Sequence, residues 1–195
     1  MLADIAGSFV ERYARVSTEW LLDDTPCDLL AEGVDLWIRV GRISDESLTV
    51  RGLWQIERAI VAAGDSPYAP DQPDELADRT TVLLGPYVGQ DISLTGPDDA
   101  TVTLMPLPAI STDNIFVAER LTLAGHRYSI LPLWLMPPRI ETGAARHLCA
   151  DWQPQPLPLS LAYPQARFQP VRHGLSIEHL KERLPESGAG ISHVP

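Results

Sequence analysis

Leu2, Ile5, Phe9, Tyr13, Val16 and Trp20 recur at intervals of 3, 4, 4, 3 and 4. A 3.6-residue repeat sets them on one face, so residues 2–22 read as an amphipathic helix. Asp4, Glu11, Arg12, Arg15 and Glu19 mostly fall elsewhere, and Asp23, Asp24 and Pro26 end the run. In VDLWIRVGRI (34–43), Leu36, Ile38 and Val40 alternate with Trp37, Arg39 and Gly41, which predicts a strand. Residues 46–63 read as a second helix, with Leu53, Ile56 and Ile60 on one face, Val50 nearby and Gly64 as the stop.

The middle of the chain is strand-like. TTVLL (80–84) is β-branched, and ATVTLM (100–105) alternates Val102 and Leu104 against Thr101 and Thr103. IFVAERLTL (115–123) and HRYSILPLWLM (126–136) flank Ala124 and Gly125, a pair that suggests a hairpin turn. Pro132 marks the second run as an edge or bulged strand. Residues 140–150 read as a short helix carrying Ile140, Ala144, His147 and Leu148.

From 153 to 170 five prolines leave little room for a helix or a central strand. Leu157, Leu159, Leu161, Tyr163 and Phe168 argue that this stretch packs on the surface. Residues 175–184 form a last short helix before a mobile end. The expected fold is α+β, a mixed or largely antiparallel sheet flanked by helices, with a proline-rich extended C-terminal segment. The expected organisation is one domain over 1–152, with 153–195 packed on it or reaching from it.

Composition narrows the function. The 195 residues carry a net charge of -11, and 45% are hydrophobic, enough for a real core. An acidic chain is a poor nucleic-acid binder, because phosphate binding needs clustered Lys and Arg. No apolar run spans a bilayer and no leader peptide is legible, so a cytoplasmic protein without membrane contact is expected. Residues 1–100 hold a net charge of -12 and residues 101–195 a net +1. The densest acidic stretch carries Asp65, Asp71, Asp74, Glu75 and Asp78 among prolines. It reads as a solvated loop, or as a surface that attracts a basic protein partner.

No phosphate loop, dinucleotide fingerprint, nucleophile elbow or paired-cysteine motif is present. The five histidines read as surface residues, and Cys27 and Cys149 as reduced, buried thiols. The five tryptophans fall in apolar-periodic stretches and read as core. GPYVGQD (85–91) lacks the lysine and helix start of a phosphate cradle and reads as a plain loop. Neither a metal nor a cofactor is expected, and no catalytic residues are assigned. If the chain were an enzyme, Glu141, His147 and Cys149 would be the first residues to inspect.

Three stretches carry a family resemblance: VDLWIRVGRI with the following LTVRGLWQIERAIVAAG, TTVLLGPY, and YSILPLWLMPPRIETGAARHLCADW. Together they resemble the bacterial suppressor-of-fused domain family. The resemblance makes Glu141 the glutamate of the family's closing strand, proline turn and helix. It implies a protein-binding module, and in particular an immunity protein that neutralises a toxin by occluding its active site. The partner-binding residues would then be Asp65, Asp71, Asp74, Glu75, Asp78 and Glu141. The alternatives are a structural protein of a phage or secretion apparatus and an enzyme with an unfamiliar site. The pattern does not fix oligomeric state.

Overall fold

The computed structural model describes residues 2–22, 28–165 and 171–183. The expected helix stop at Asp23, Asp24 and Pro26, together with Cys27, Phe168 and the chain end, lies outside them. The elements run α1 (Leu2–Arg12), β1 (Trp37–Val40), β2 (Leu48–Ile56), β3 (Arg58–Ala63), β4 (Thr80–Leu84), β5 (Ile92–Thr95), β6 (Thr101–Leu104) and β7 (Leu107–Thr112). They continue with α2 (Ile115–Leu123), β8 (Tyr128–Pro132), α3 (Pro137–Glu141), β9 (Ala145–Leu148), β10 (Gln153–Pro154), β11 (Leu157–Pro164) and α4 (Val171–Arg183). The fold is α+β with mixed sheets flanked by helices.

The chain divides into two compact units. Among the described residues, one takes those up to Gln55 and from Pro158 on, the other Ile56–Leu157. Residues 153–164, read as an extended segment, supply strands β10 and β11 to the sheets.

The first unit holds a three-stranded sheet in the order β1-β11-β2. β1 pairs antiparallel with β11, Trp37 facing Ala162 and Val40 facing Leu159. Leu161, Tyr163 and Ile177 form one buried cluster, and Leu29, Leu48 and Ala162 another. Adjacent residues of β11 therefore serve two clusters, as strand alternation requires. α1 ends at Arg12, ten residues before the expected helix end at residue 22. Val16, Ser17 and Thr18 bring β-branched and hydroxyl side chains that favour extended backbone.

The second unit holds a five-stranded sheet, β7-β4-β8-β3-β9, and a three-stranded antiparallel one, β10-β5-β6. β4 runs parallel to both β7 and β8, while β3 is antiparallel to β8 and β9. Every residue of β3 is buried. Ile60 and Ala62 join Leu94, Leu104 and Trp152 on one face, and Ala59 and Val61 join Val82, Ala118 and Leu131 on the other.

Four sequence expectations are corrected here. Residues 46–63 form β2 and β3; β3 is covered on both faces and carries a continuous apolar run that mimics a helical face. Residues 115–123 form a helix, α2. Asn114 caps it, accepting from Phe116 N at 2.9 Å and Val117 N at 3.2 Å. Gly125 ends it in a Schellman turn, with Gly125 N donating to Thr122 O and His126 N to Leu121 O. Residues 140–150 hold the end of α3 and strand β9. Pro132 closes β8, the central strand of its sheet, so it interrupts no ladder.

Candidate functional site

Two connections leave the five-stranded sheet in opposite directions. After β4 the chain passes to β5 and β6, whose Ile92, Leu94 and Leu104 cover the Ile60 face. After β7 it passes into α2, whose Ala118 covers the Val61 face. β4 and β7 are parallel neighbours whose following connections cover opposite faces, so their carboxyl ends form a topological switch point, the place where open α/β sheets receive ligands. All of this edge belongs to the second unit.

Its residues come from four strand ends. β4 runs into a 3₁₀ turn, Gly85–Tyr87. β7 ends at Thr112, whose hydroxyl accepts from Asn114 N at 3.1 Å and so starts the capped turn of α2. β8 ends at Pro132, followed by the turn Leu133–Leu135. Arg58 opens β3 directly opposite Pro132.

Arg58 is the unusual group of this edge. It is 7% exposed. Its Nε and Nη2 donate to Gln155 O at 3.0 and 2.5 Å, joining the two stretches by which the chain enters and leaves this unit. Its guanidinium carbon lies 5.8 Å from the centroid of Tyr87. Among the described residues no carboxylate faces it, and Nη1 has no partner yet is not sealed off. Burial lowers its pKa, with only Tyr87 opposing. Around the same edge Val88, Phe116, Val117 and Trp134 stand exposed, Phe116 at 56% and Trp134 at 42%. A buried cation beside exposed apolar side chains is the composition of a small-molecule site.

The residues singled out in sequence fall elsewhere. Asp65, Asp71, Asp74, Glu75 and Asp78 are exposed on the β3–β4 connection of the second unit. That connection is pinned rather than loose. Leu76 is fully buried, the Tyr68 hydroxyl donates to Glu75 O, and Arg79 stacks over Tyr68 at 4.2 Å. Glu141 is exposed at the end of α3. His147 is exposed and Cys149 buried, and among the described residues no hydrogen bond or ion pair joins Glu141, His147 and Cys149 to one another. Burial, with Glu75, Asp71 and Asp74 nearby, pushes the Cys149 thiol up to about 11. Among the described residues no cluster could hold a metal ion.

Two further readings change. His179 is 1% exposed and bonds Ser8 across α1 and α4, so it is an interior residue. Trp20 and Trp134 are exposed, so only part of the tryptophan set packs inside. GPYVGQD follows β4 at the switch-point edge, with Tyr87 under the Arg58 guanidinium. Asn114 carried a local signal, since asparagine is a favoured helix cap. Arg58 had no local signal, because its isolation from carboxylates is a tertiary fact.

The LysR substrate binding domain family model matches residues 1–185. The transcriptional regulator PtxR of Pseudomonas aeruginosa is 28% identical over 189 residues, covering 94% of this chain and 60% of its own length. The transcriptional activator AaeR of Escherichia coli is 24% identical over 191 residues, covering 96% of this chain and 62% of its own length. The chain thus spans less than two thirds of the curated relatives it matches. Among solved structures, full-length AphB of Vibrio cholerae superposes with a TM-score of 0.80 at 21% identity, covering 95% of this chain and 64% of that one. The CrgA regulatory domain of Neisseria meningitidis gives 0.73 at 19% identity, covering 95% and 92%.

These findings overturn the suppressor-of-fused resemblance, and with it the immunity-protein, toxin-partner and phage-component readings. The motifs that suggested it are short: TTVLLGPY is β4 and its turn, and the supposed closing helix is α3 followed by β9. The expectation of no nucleic-acid partner also falls, since the relatives are named helix-turn-helix regulators. Net charge describes the residues counted, and the relatives extend well beyond the matched stretch.

Proposed function

The chain belongs to the LysR substrate-binding domain family, and from that we propose that it is the ligand-sensing part of a LysR-type transcriptional regulator. It is not an enzyme; its role is to bind a small molecule and pass that event to a DNA-binding part of the whole protein. Such a regulator works in the cytoplasm, beside the DNA.

The observation that carries this reading, beyond the family, is the topological switch point at the carboxyl ends of β4 and β7. It combines a capped helix start, a buried cation and exposed aromatic side chains. Those groups recognise a small molecule and include no nucleophile with its base.

The test uses the whole regulator and this chain side by side. A library of small metabolites of varied charge is screened against the chain by thermal shift, and hits are added to promoter-binding assays of the whole protein. A compound that stabilises the chain and changes the whole protein's DNA affinity or footprint is expected. Promoter binding that no chain-binding compound alters would sink the proposal.

A further inference from the structure

We infer that Arg58 is a clasp that binds the two crossover stretches of the chain into one mechanical piece, so that a change in one is felt in the other. The clasp is a property of the chain itself and needs no ligand.

Among the described residues the chain passes from one unit to the other twice, at Gln55–Ile56 and at Leu157–Pro158. The two passages are built differently. The leaving stretch carries Pro154, Pro156 and Pro158 at alternate positions. Each ring locks φ at about −65° and holds the residue before it extended, so this stretch is stiff. The entering stretch, residues 55–58, has no proline. Strand structure lapses there at Glu57, between the end of β2 and the start of β3. Glu57 is its soft point.

Each stretch has its own mooring within the second unit. Leu133 N donates to Glu57 O at 2.8 Å, and Gln155 N donates to Ser93 O at 2.8 Å. Arg58 joins the two stretches to each other. From the start of β3 its Nε and Nη2 converge on Gln155 O, the carbonyl that lies between Pro154 and Pro156. Both ends of this clasp belong to the second unit. A planar guanidinium donating twice to one oxygen fixes direction as well as distance, which lysine or a single amide donor does not. That accounts for an arginine 7% exposed whose partner is a carbonyl. The soft entering stretch is thereby splinted against the stiff leaving one. The Tyr87 ring, with its centroid 5.8 Å from the guanidinium carbon, brings the turn after β4 onto the same group.

Amide hydrogen exchange, followed by NMR on the unaltered chain and its variants, tests the clasp. Pro156 is exposed, so Pro156→Ala loosens the leaving stretch with little loss of packing. It is expected to speed exchange at Gln155 by about two- to fivefold and, through the clasp, at Leu133 by about twofold. Arg58→Gln alone is expected to speed Leu133 by about tenfold or more. In the double variant the effect of Pro156→Ala should persist at Gln155 and vanish at Leu133. The amides of β3 facing β9 report general loosening and should not follow. A merely structural role for Arg58 would speed those amides too and would leave the transmission intact.

Pro156→Ala that speeds Gln155 and leaves Leu133 unchanged overturns the inference. So does transmission to Leu133 that persists in folded Arg58→Gln, and so does acceleration that the β3 amides share in full. No change at either amide overturns it too, because the prolines then lend the leaving stretch no stiffness. Where Arg58→Gln does not fold, Pro156→Ala beside the native arginine still decides, with Arg58→Lys as the second background and weaker transmission expected there. Each of these outcomes leaves the ligand-sensing reading to its own screen.

Discussion

Glu119 turns its carboxylate into the second unit from α2 and meets Arg139 there, Oε1 to Nε at 2.7 Å. The two ends of this pair differ. The Glu119 side chain is 4% exposed and that of Arg139 47%. Left alone, Arg139 can turn to water and Glu119 cannot. Arg139→Ala should therefore cost about 3 kcal/mol, the order expected when a buried charge loses its partner. Glu119→Gln, which keeps an acceptor for Arg139, should cost about 1 kcal/mol. Urea midpoints of the two variants check the order; the reverse order would show that burial does not govern this pair.

Glycine is required at two close approaches in the second unit. A Cβ on Gly64 would stand 1.8 Å from Gly143 O, and one on Gly96 would stand 2.6 Å from the Trp152 ring. Gly96→Ala should cost about 1–3 kcal/mol through overpacking and should shift tryptophan emission. Gly64→Ala meets backbone instead of a side chain, so it should be the more damaging. A Gly64→Ala protein as stable as the parent would show that the β3 and β9 ends separate freely.

Legibility in the sequence tracked how local each cause was. β1 was readable because one of its faces alternates, and β4 because its β-branched run is short. β2 and β3 were read as a helix because Leu53, Ile56 and Ile60 satisfy a helical face, while in the fold Ile56 ends β2 and Ile60 lies in β3, a strand buried on both sides. α2 was read as a strand from its apolar residues, although Asn114 and Gly125 bracket it with helix cap chemistry. The switch point itself was invisible. It is made where β4 and β7 become neighbours, and nothing within either strand states that pairing. The acidic stretch 65–78 was found at once, since charge is read directly, but the family findings removed the toxin partner assigned to it.

His179 Nε2 lies 2.8 Å from Ser8 Oγ, and that hydroxyl donates to Ile5 O at 2.9 Å. The serine proton is thus committed, so the histidine must donate through Nε2. Its Nδ1 is buried without a partner, while Phe9 and Tyr13 approach the ring edgewise at 5.4 and 6.5 Å. Nitrogen NMR of the ring should find the Nε2–H tautomer in the neutral state. Ser8→Ala would orphan the second nitrogen and should cost about 1–2 kcal/mol. A ring protonated at Nδ1 instead would refute this hydrogen-bond direction.

Alkaline pH should weaken the second unit through two neighbouring acids. Burial raises the Tyr128 hydroxyl from 10.0 to about 12, aided by Tyr68 and Cys149, and raises the Cys149 thiol from 9.0 to about 11. Both groups hold their protons more tightly in the folded chain. Their contribution is complete below pH 9 and is lost as the unfolded chain ionises first, between 9 and 11 for Cys149 and between 10 and 12 for Tyr128. Denaturation midpoints should fall across that window, and Tyr128→Phe should flatten the upper part. The same variant removes a buried hydroxyl that has no partner, so at neutral pH it should stabilise by about 1 kcal/mol. Thiol labelling at pH 8, in a Cys27→Ser background, should be far slower at Cys149 in the folded chain than after unfolding. Equal labelling rates in the two states would show that Cys149 is open to solvent and would undo the alkaline argument with it.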